Sequence, residues 1–151
     1  MRNVPFAAGV GLAALCWLVV AGCSHSASKA TEESNLKPLA VFYGRFISQH
    51  RGQPPANEAE FKAFVKSLSK AELDSFKITD PESIFVSSRD GKPYVIVYGA
   101  ASGAAGPSGS PVIAYEQAGK GGKRFVATTV GAVEEVDEAR FKQLVPTAKA
   151  P

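Results

Sequence analysis

The feature that most limits what this chain can fold into lies at its start. From Val4 through Val20 there is no charged residue, and the apolar run is interrupted only by Pro5, Gly9 and Gly11. Arg2 precedes it, and within residues 1–22 sixteen positions are hydrophobic and none is acidic. A positive start, a short apolar core densest at Leu12–Val20 and a small-residue exit are the ordered parts of a secretory signal. Such a segment contributes nothing to the folded body, so residues 1–22 are set aside as a signal peptide and 129 residues remain. Of these, 52 are hydrophobic, 16 basic and 14 acidic, an ordinary composition for one soluble globular domain. No later apolar run approaches the ~20 residues of a membrane span. A net charge of +2 with both signs interspersed is no nucleic-acid footprint, so nucleic acid is excluded as a partner. The two cysteines, Cys16 in the apolar run and Cys23 just after it, leave no disulfide framework within the chain.

The exit is more specific. Val20, Ala21, Gly22 and Cys23 look like the lipobox of bacterial lipoproteins. The resemblance implies that the signal is cut before Cys23, that the Cys23 thiol carries diacylglycerol and that the new amino group is often acylated. Each buried methylene contributes roughly 0.8 kcal/mol, and two or three acyl chains hold a protein on a membrane stably. Ser24 stands where the family's inner-membrane retention signal usually has Asp, which in a host with two membranes favours the periplasmic side of the outer membrane. The alternatives are a plain secretory signal followed by a chance cysteine, as Cys16 is, or an uncleaved anchor.

Residues 23–35 are the lipidated cysteine and a small, polar stretch with no apolar side chain larger than alanine, a flexible tether by composition. Twelve such residues span ~20 Å as a coil. A single α+β domain is expected over residues 36–145, with 146–151 as a disordered tail. Leu36, Leu39, Tyr43, Phe46, Ile47 and His50 recur at steps of three and four and predict a first helix, capped by Asn35 and stopped by Gly52 and Pro54-Pro55. Asn57 with Glu60, and Ser69 with Glu72, have the spacing of capping boxes opening two further short helices. Ile84–Val86, the Asp90-Gly91 turn and Tyr94–Tyr98 read as a hairpin. Residues 99–110 form a glycine-rich flexible loop, followed by strands at 111–116, 124–129 and 132–136 and a last helix capped by Asp137. The expected architecture is an N-terminal helix, plus short helices, packed on a small antiparallel sheet.

Val112–Glu116, the glycine-rich turn, Arg124–Val126, Gly131, Val133 and Glu138–Phe141 together resemble the pilin-like domains known for an H-X9-DG motif. The first helix running into Gly52-Gln53-Pro54-Pro55 is similar to the stem and following loop of that family. The motif itself is altered. Lys120 stands at the histidine position and Val130 at the aspartate position, while Gly131 is kept. Val4–Val20 carries no acidic residue and ends in a lipobox, so filament assembly does not carry over. The resemblance implies a pilin-like domain moved onto a lipid anchor.

Little in the chain points to catalysis. His25 and His50 are the only histidines, and no spacing of His, Cys and carboxylates matches a metal site, so no metal or cofactor is expected. His50 ends the first helix, where the negative helix end is its natural partner. Ser102, Ser108 and Ser110 lack the strand-turn-helix setting of a nucleophile elbow. Gly119-Lys120-Gly121-Gly122-Lys123 is followed by a strand, whereas phosphate loops lead into a helix, so it reads as a hairpin turn. Glu134, Glu135, Asp137 and Glu138 cluster before the last helix and suit its N-terminus. Tyr94, Tyr98 and Tyr115 lie on neighbouring strands and, with Lys120, Lys123 and Arg124, form the candidate interaction surface; the lysines and arginine could touch anionic lipid or peptidoglycan. For the tyrosines, packing as core against the first helix is the favoured role, and an exposed binding surface is the alternative. The expectation is a lipid-anchored cell-envelope protein, a non-catalytic interaction or structural module whose partners are the membrane through Cys23 and an envelope protein or peptidoglycan. The alternative is a small envelope hydrolase acting on cell-wall material, with Glu116, Glu134, Glu135 or His50 as its titratable groups.

Overall fold

The computed structural model describes residues 34–99 and 109–145. The expected signal peptide, Cys23, the expected tether with His25, most of the glycine-rich segment with Ser102 and Ser108, and the expected tail all lie outside the described residues.

Helix α1, Leu36–Gln49, follows the three-and-four spacing and buries Leu36, Leu39, Ala40, Phe42, Tyr43 and Phe46. Its start corrects the expected cap. Asn35 makes no side-chain cap hydrogen bond. Ser34, one residue earlier, supplies the oxygen, accepting from the Leu36 N–H at 3.1 Å. That frees the Asn35 amide to donate to the carbonyls of Ser83 and Val86, at 3.1 and 3.3 Å. At the other end the His50 ring stacks on Phe46, centroids 3.8 Å apart, and Nδ1 donates to the Phe46 carbonyl at 2.8 Å. Gly52, at φ +84°, then breaks the helix.

Helix α2, Glu58–Lys66, is capped as expected by Asn57, whose side chain accepts from the Glu60 N–H. Glu60 itself reaches one residue further back, to the Ala56 N–H. Helix α3, Lys70–Ser75, has both arms of its capping box, Ser69 and Glu72. Arg45 of α1 pairs with Glu72 and ties the two helices together.

The expected strand at Ile84–Val86 is a short 3₁₀ helix instead, Pro81–Phe85. Pro81 presets its first φ and Asp80 accepts from the Glu82 N–H, so the local capping chemistry outweighs the β-branched run. The hairpin survives as the single bridge between Val86 and Pro93.

Four antiparallel strands follow in a plain meander: β1 Val95–Ile96, β2 Val112–Tyr115, β3 Lys123–Thr128 and β4 Val133–Asp137. Helix α4, Glu138–Leu144, closes the fold, with Asp137 accepting from the Arg140 N–H. The architecture is α+β. Strand alternation sends Phe125 and Ala127 toward α1, into an aromatic core with Phe42, Tyr43, Phe46, Phe61 and Phe85. It sends Val126, with Val112 and Val136, to the opposite face beneath Phe141 and Leu144 of α4. Gly44 lets α1 lie this close to the sheet, because a Cβ there would stand 2.9 Å from the Thr129 carbonyl oxygen.

Candidate interaction groove and turn clamp

β1 is an edge strand. The Val97 N–H donates to Ile113, and Val95 pairs opposite Tyr115 and Ile96 opposite Ala114. Antiparallel alternation therefore turns the N–H and C=O of Ile96 away from the sheet. On that outer side the Tyr94 N–H is taken by the Phe85 carbonyl. Between this edge, the 3₁₀ helix and α2 lies a groove of about 420 Å³, lined by Phe85, Val86, Pro93, Tyr94, Ile96 and Tyr98 with Glu58, Lys62 and Glu82. The Lys62 ammonium is 2.8 Å from Glu58, 3.2 Å from Glu82 and 5.2 Å from the Phe85 ring centroid. Hydrogen bonds to Glu58 and Glu82 raise the Lys62 pKa, and bonds from Lys66 and Lys62 lower that of Glu82. Burial, with the nearby Glu58 charge, pushes the Tyr98 hydroxyl well above the usual range.

The six residues expected to share a surface are divided among three places. Tyr94 is 6% exposed and belongs to the aromatic core, and only an edge of it reaches the groove; burial raises its pKa. Tyr98 is half-buried in the groove. Tyr115 stands on the other face, edge-on to Phe141 at 5.2 Å. The reason is register: Tyr115 pairs directly with Val95, so it shares a face with Val95 and not with Tyr94. Arg124 is also buried on that face, its guanidinium 4.3 Å from the Phe141 ring, with Nη1 donating to Gln117 and Nη2 3.2 Å from Glu138. Lys120 and Lys123 are exposed at the glycine-rich turn.

Beneath that turn is a polar cluster for which the sequence reading gave no role to Arg89. Glu116 is 0% exposed. It accepts from the Ser87 hydroxyl and the Phe125 N–H, both at 2.8 Å, and its Oε1 lies 3.5 Å from Arg89 Nε. Arg89 lies 4.2 Å over the Phe125 ring, donates to Glu135 at 2.5 Å, and reaches the carbonyls of Lys120 and Lys123. Asp90 accepts from the N–H groups of Lys92 at 2.9 Å, Gly119 at 2.9 Å and Ala118 at 3.4 Å. Burial alone would raise the Asp90 pKa, but these three N–H groups and the Ser87 hydroxyl outweigh it and hold the carboxyl below its usual range. Arg89 and Asp90 thus clamp two turns, 87–92 and 117–123, side by side. Gly119 is obligatory there: its φ is +69° and a Cβ would fall 2.1 Å from the Lys123 carbonyl oxygen. One clue was available in the sequence. Glu116 follows Ala114 at period two on an inward-facing strand, a position that demands a buried cation.

Lys120 and Gly131, the pilin-motif positions, lie at opposite ends of β3. Val130 is 67% exposed, and the Gly131 carbonyl accepts from the Lys37 ammonium at 2.6 Å. Of the remaining carboxylates, Glu134 is exposed, Glu135 serves Arg89, and Asp137 and Glu138 serve the start of α4. Among the described residues no group of three His, Cys or carboxylate side chains could hold a metal ion. Comparison with known protein families, curated proteins and solved structures finds no match to the chain.

Proposed function

We propose that this is a lipid-anchored cell-envelope protein, a non-catalytic interaction or structural module held at the membrane by acyl chains on Cys23. The observation that carries the proposal is the register of Val20-Ala21-Gly22-Cys23 behind Arg2 and the apolar run. Among the described residues no helix is long and apolar enough to cross a membrane, and the acyl chains are the proposed attachment. The domain is taken as pilin-like, carried on a lipid in place of an assembly segment. Its layout of α1 across an antiparallel meander is compatible with that resemblance.

Two features support the non-catalytic part. Glu116 is sealed from solvent, and Glu135, Asp137 and Glu138 are engaged in structural contacts. The groove beside Ile96 offers an unpaired strand edge with aromatic walls, a surface suited to an envelope protein. The test is growth with an alkyne fatty acid. The natural chain takes up the label and Cys23→Ala does not; label retained by Cys23→Ala refutes the anchor.

A further inference from the structure

The clamp lies where residues 1–33 join the fold. The Ser34 hydroxyl is 3.4 Å from that of Tyr94, which also interacts with the Ser87 side chain. Ser87 Oγ in turn accepts from the N–H groups of Arg89 and Asp90, at 3.1 and 3.4 Å. Asn35 is tied to the Val86 carbonyl, immediately before that turn. The chain coming from Cys23 therefore enters beside the paired turns.

The charges at this end are largely sorted. Three of its acids face inward: Asp90 to backbone N–H groups, Glu116 to Ser87 and Phe125, Glu135 to Arg89. Asp137, opposite Lys123 on β4, and Glu138 are exposed, and they are engaged by the Arg140 N–H and by Arg124. Its lysines face outward. Lys92 and Lys120 are exposed and have no ion-pair partner among the described residues, and Lys123 is exposed with Glu135 only at 3.9 Å. Val86, bridged to Pro93 next to Lys92, is 38% exposed. A rigid cluster of lysines beside an exposed apolar side chain is the composition of a membrane-surface contact.

We infer that this end is a membrane-docking face, with Lys92, Lys120 and Lys123 resting on anionic phospholipid headgroups and Val86 at the headgroup boundary. The inference rests on the lipid-anchor proposal. Three lysines at about 1 kcal/mol each would not recruit a free protein durably. A lipidated chain is different, because ten residues between Cys23 and Ser34 extend at most ~35 Å and keep the domain at the surface at high effective concentration. The clamp removes the ordering cost, since both turns are already fixed by Arg89 and Asp90. The entry of the tether at the same end favours the bilayer over a wall polymer as the anionic partner.

The test uses the full chain with acylation of Cys23 verified by mass, reconstituted in phosphatidylcholine vesicles with or without about one third phosphatidylglycerol. Acetylation rates of individual lysines are read by mass spectrometry. Lys92, Lys120 and Lys123 are expected to react about threefold more slowly on the anionic vesicles and to recover in about 1 M salt, while Lys70 and Lys142 stay unchanged. With Cys23 acylated, equal rates on both vesicles, or protection of all five lysines alike, overturns the docking face alone. Protection of the same three lysines by soluble peptidoglycan fragments, without anionic lipid, also overturns it. A lipid-free Cys23 defeats the anchor proposal and the docking face together.

Discussion

The aromatic core and the turn clamp are both buried, and they are built on opposite principles. In the core Phe61 alone meets Tyr43, Phe46 and Phe85 edge-on at 5.3, 6.3 and 5.7 Å, with no charge among them. The Tyr43 hydroxyl there donates to the Val97 carbonyl at 2.6 Å, and burial pushes its pKa up to about 12. The clamp instead buries a carboxylate and places most of an arginine over it. Apolar burial is strong and undirected, and it decides whether the chain folds. A buried polar cluster of this kind adds little net stability, yet it fixes where two turns sit. The core makes the domain; the clamp decides which side chains the domain presents at one end.

The largest test of this contrast is Phe61→Ala, which should cost about 3–5 kcal/mol in urea unfolding. A loss near the ~1 kcal/mol of an average substitution would mean that the core is less continuous than described. Glu116→Ala should cost about 2–3 kcal/mol, because Arg89 and the Phe125 N–H lose a buried partner. Glu116→Gln should cost less, and equal losses for the two variants would show that charge plays no part in the clamp. Gly119→Ala should cost over about 1 kcal/mol, through its positive φ and the Lys123 carbonyl. It should also speed amide exchange at Ala118 and Gly119 while leaving the core amides protected; uniform exchange throughout would erase the distinction between the two regions.

Asp90 gives the pH dependence its sign. Its folded pKa is depressed, so its contribution is present above the unfolded aspartate value of ~4 and is lost as pH falls through the folded value. Asp90→Asn should lower stability at neutral pH and flatten the acid limb below about pH 4, so that the variant and the natural chain converge at low pH. An unchanged acid limb would remove Asp90 from the clamp. The smallest effect belongs to Lys120→Ala, within about 0.5 kcal/mol of the natural chain, since this side chain points to solvent.

The helices and the last two strands were legible because their signals are local. Asn57, Ser69 and Asp137 act as caps where spacing placed them, and the α1 periodicity gives Leu36–Gln49 almost to the residue. The failures came where a tertiary partner competed with a local rule. Asn35 was drawn off its capping role by two carbonyls 48 and 51 residues away. Ile84–Val86 has strand composition, but Asp80 and Pro81 impose a turn on it. The tyrosine surface depended on register, and one pairing, Val95 with Tyr115, puts Tyr115 on the far side. Arg89 carried no mark in the sequence, since a charged residue beside Asp-Gly in a turn is ordinarily solvated. Its role arises only when the end of β2 and β4 bring Glu116 and Glu135 beside it.

The proposed anchor gives the sorted charges at the clamp a purpose, and it is open to one direct measurement. Tryptic digestion of the chain from its native membrane should yield the peptide Cys23–Lys29 carrying the mass of diacylglycerol, with no peptide containing residues 1–22. An unmodified Cys23, or a chain still beginning at Met1, would contradict the account.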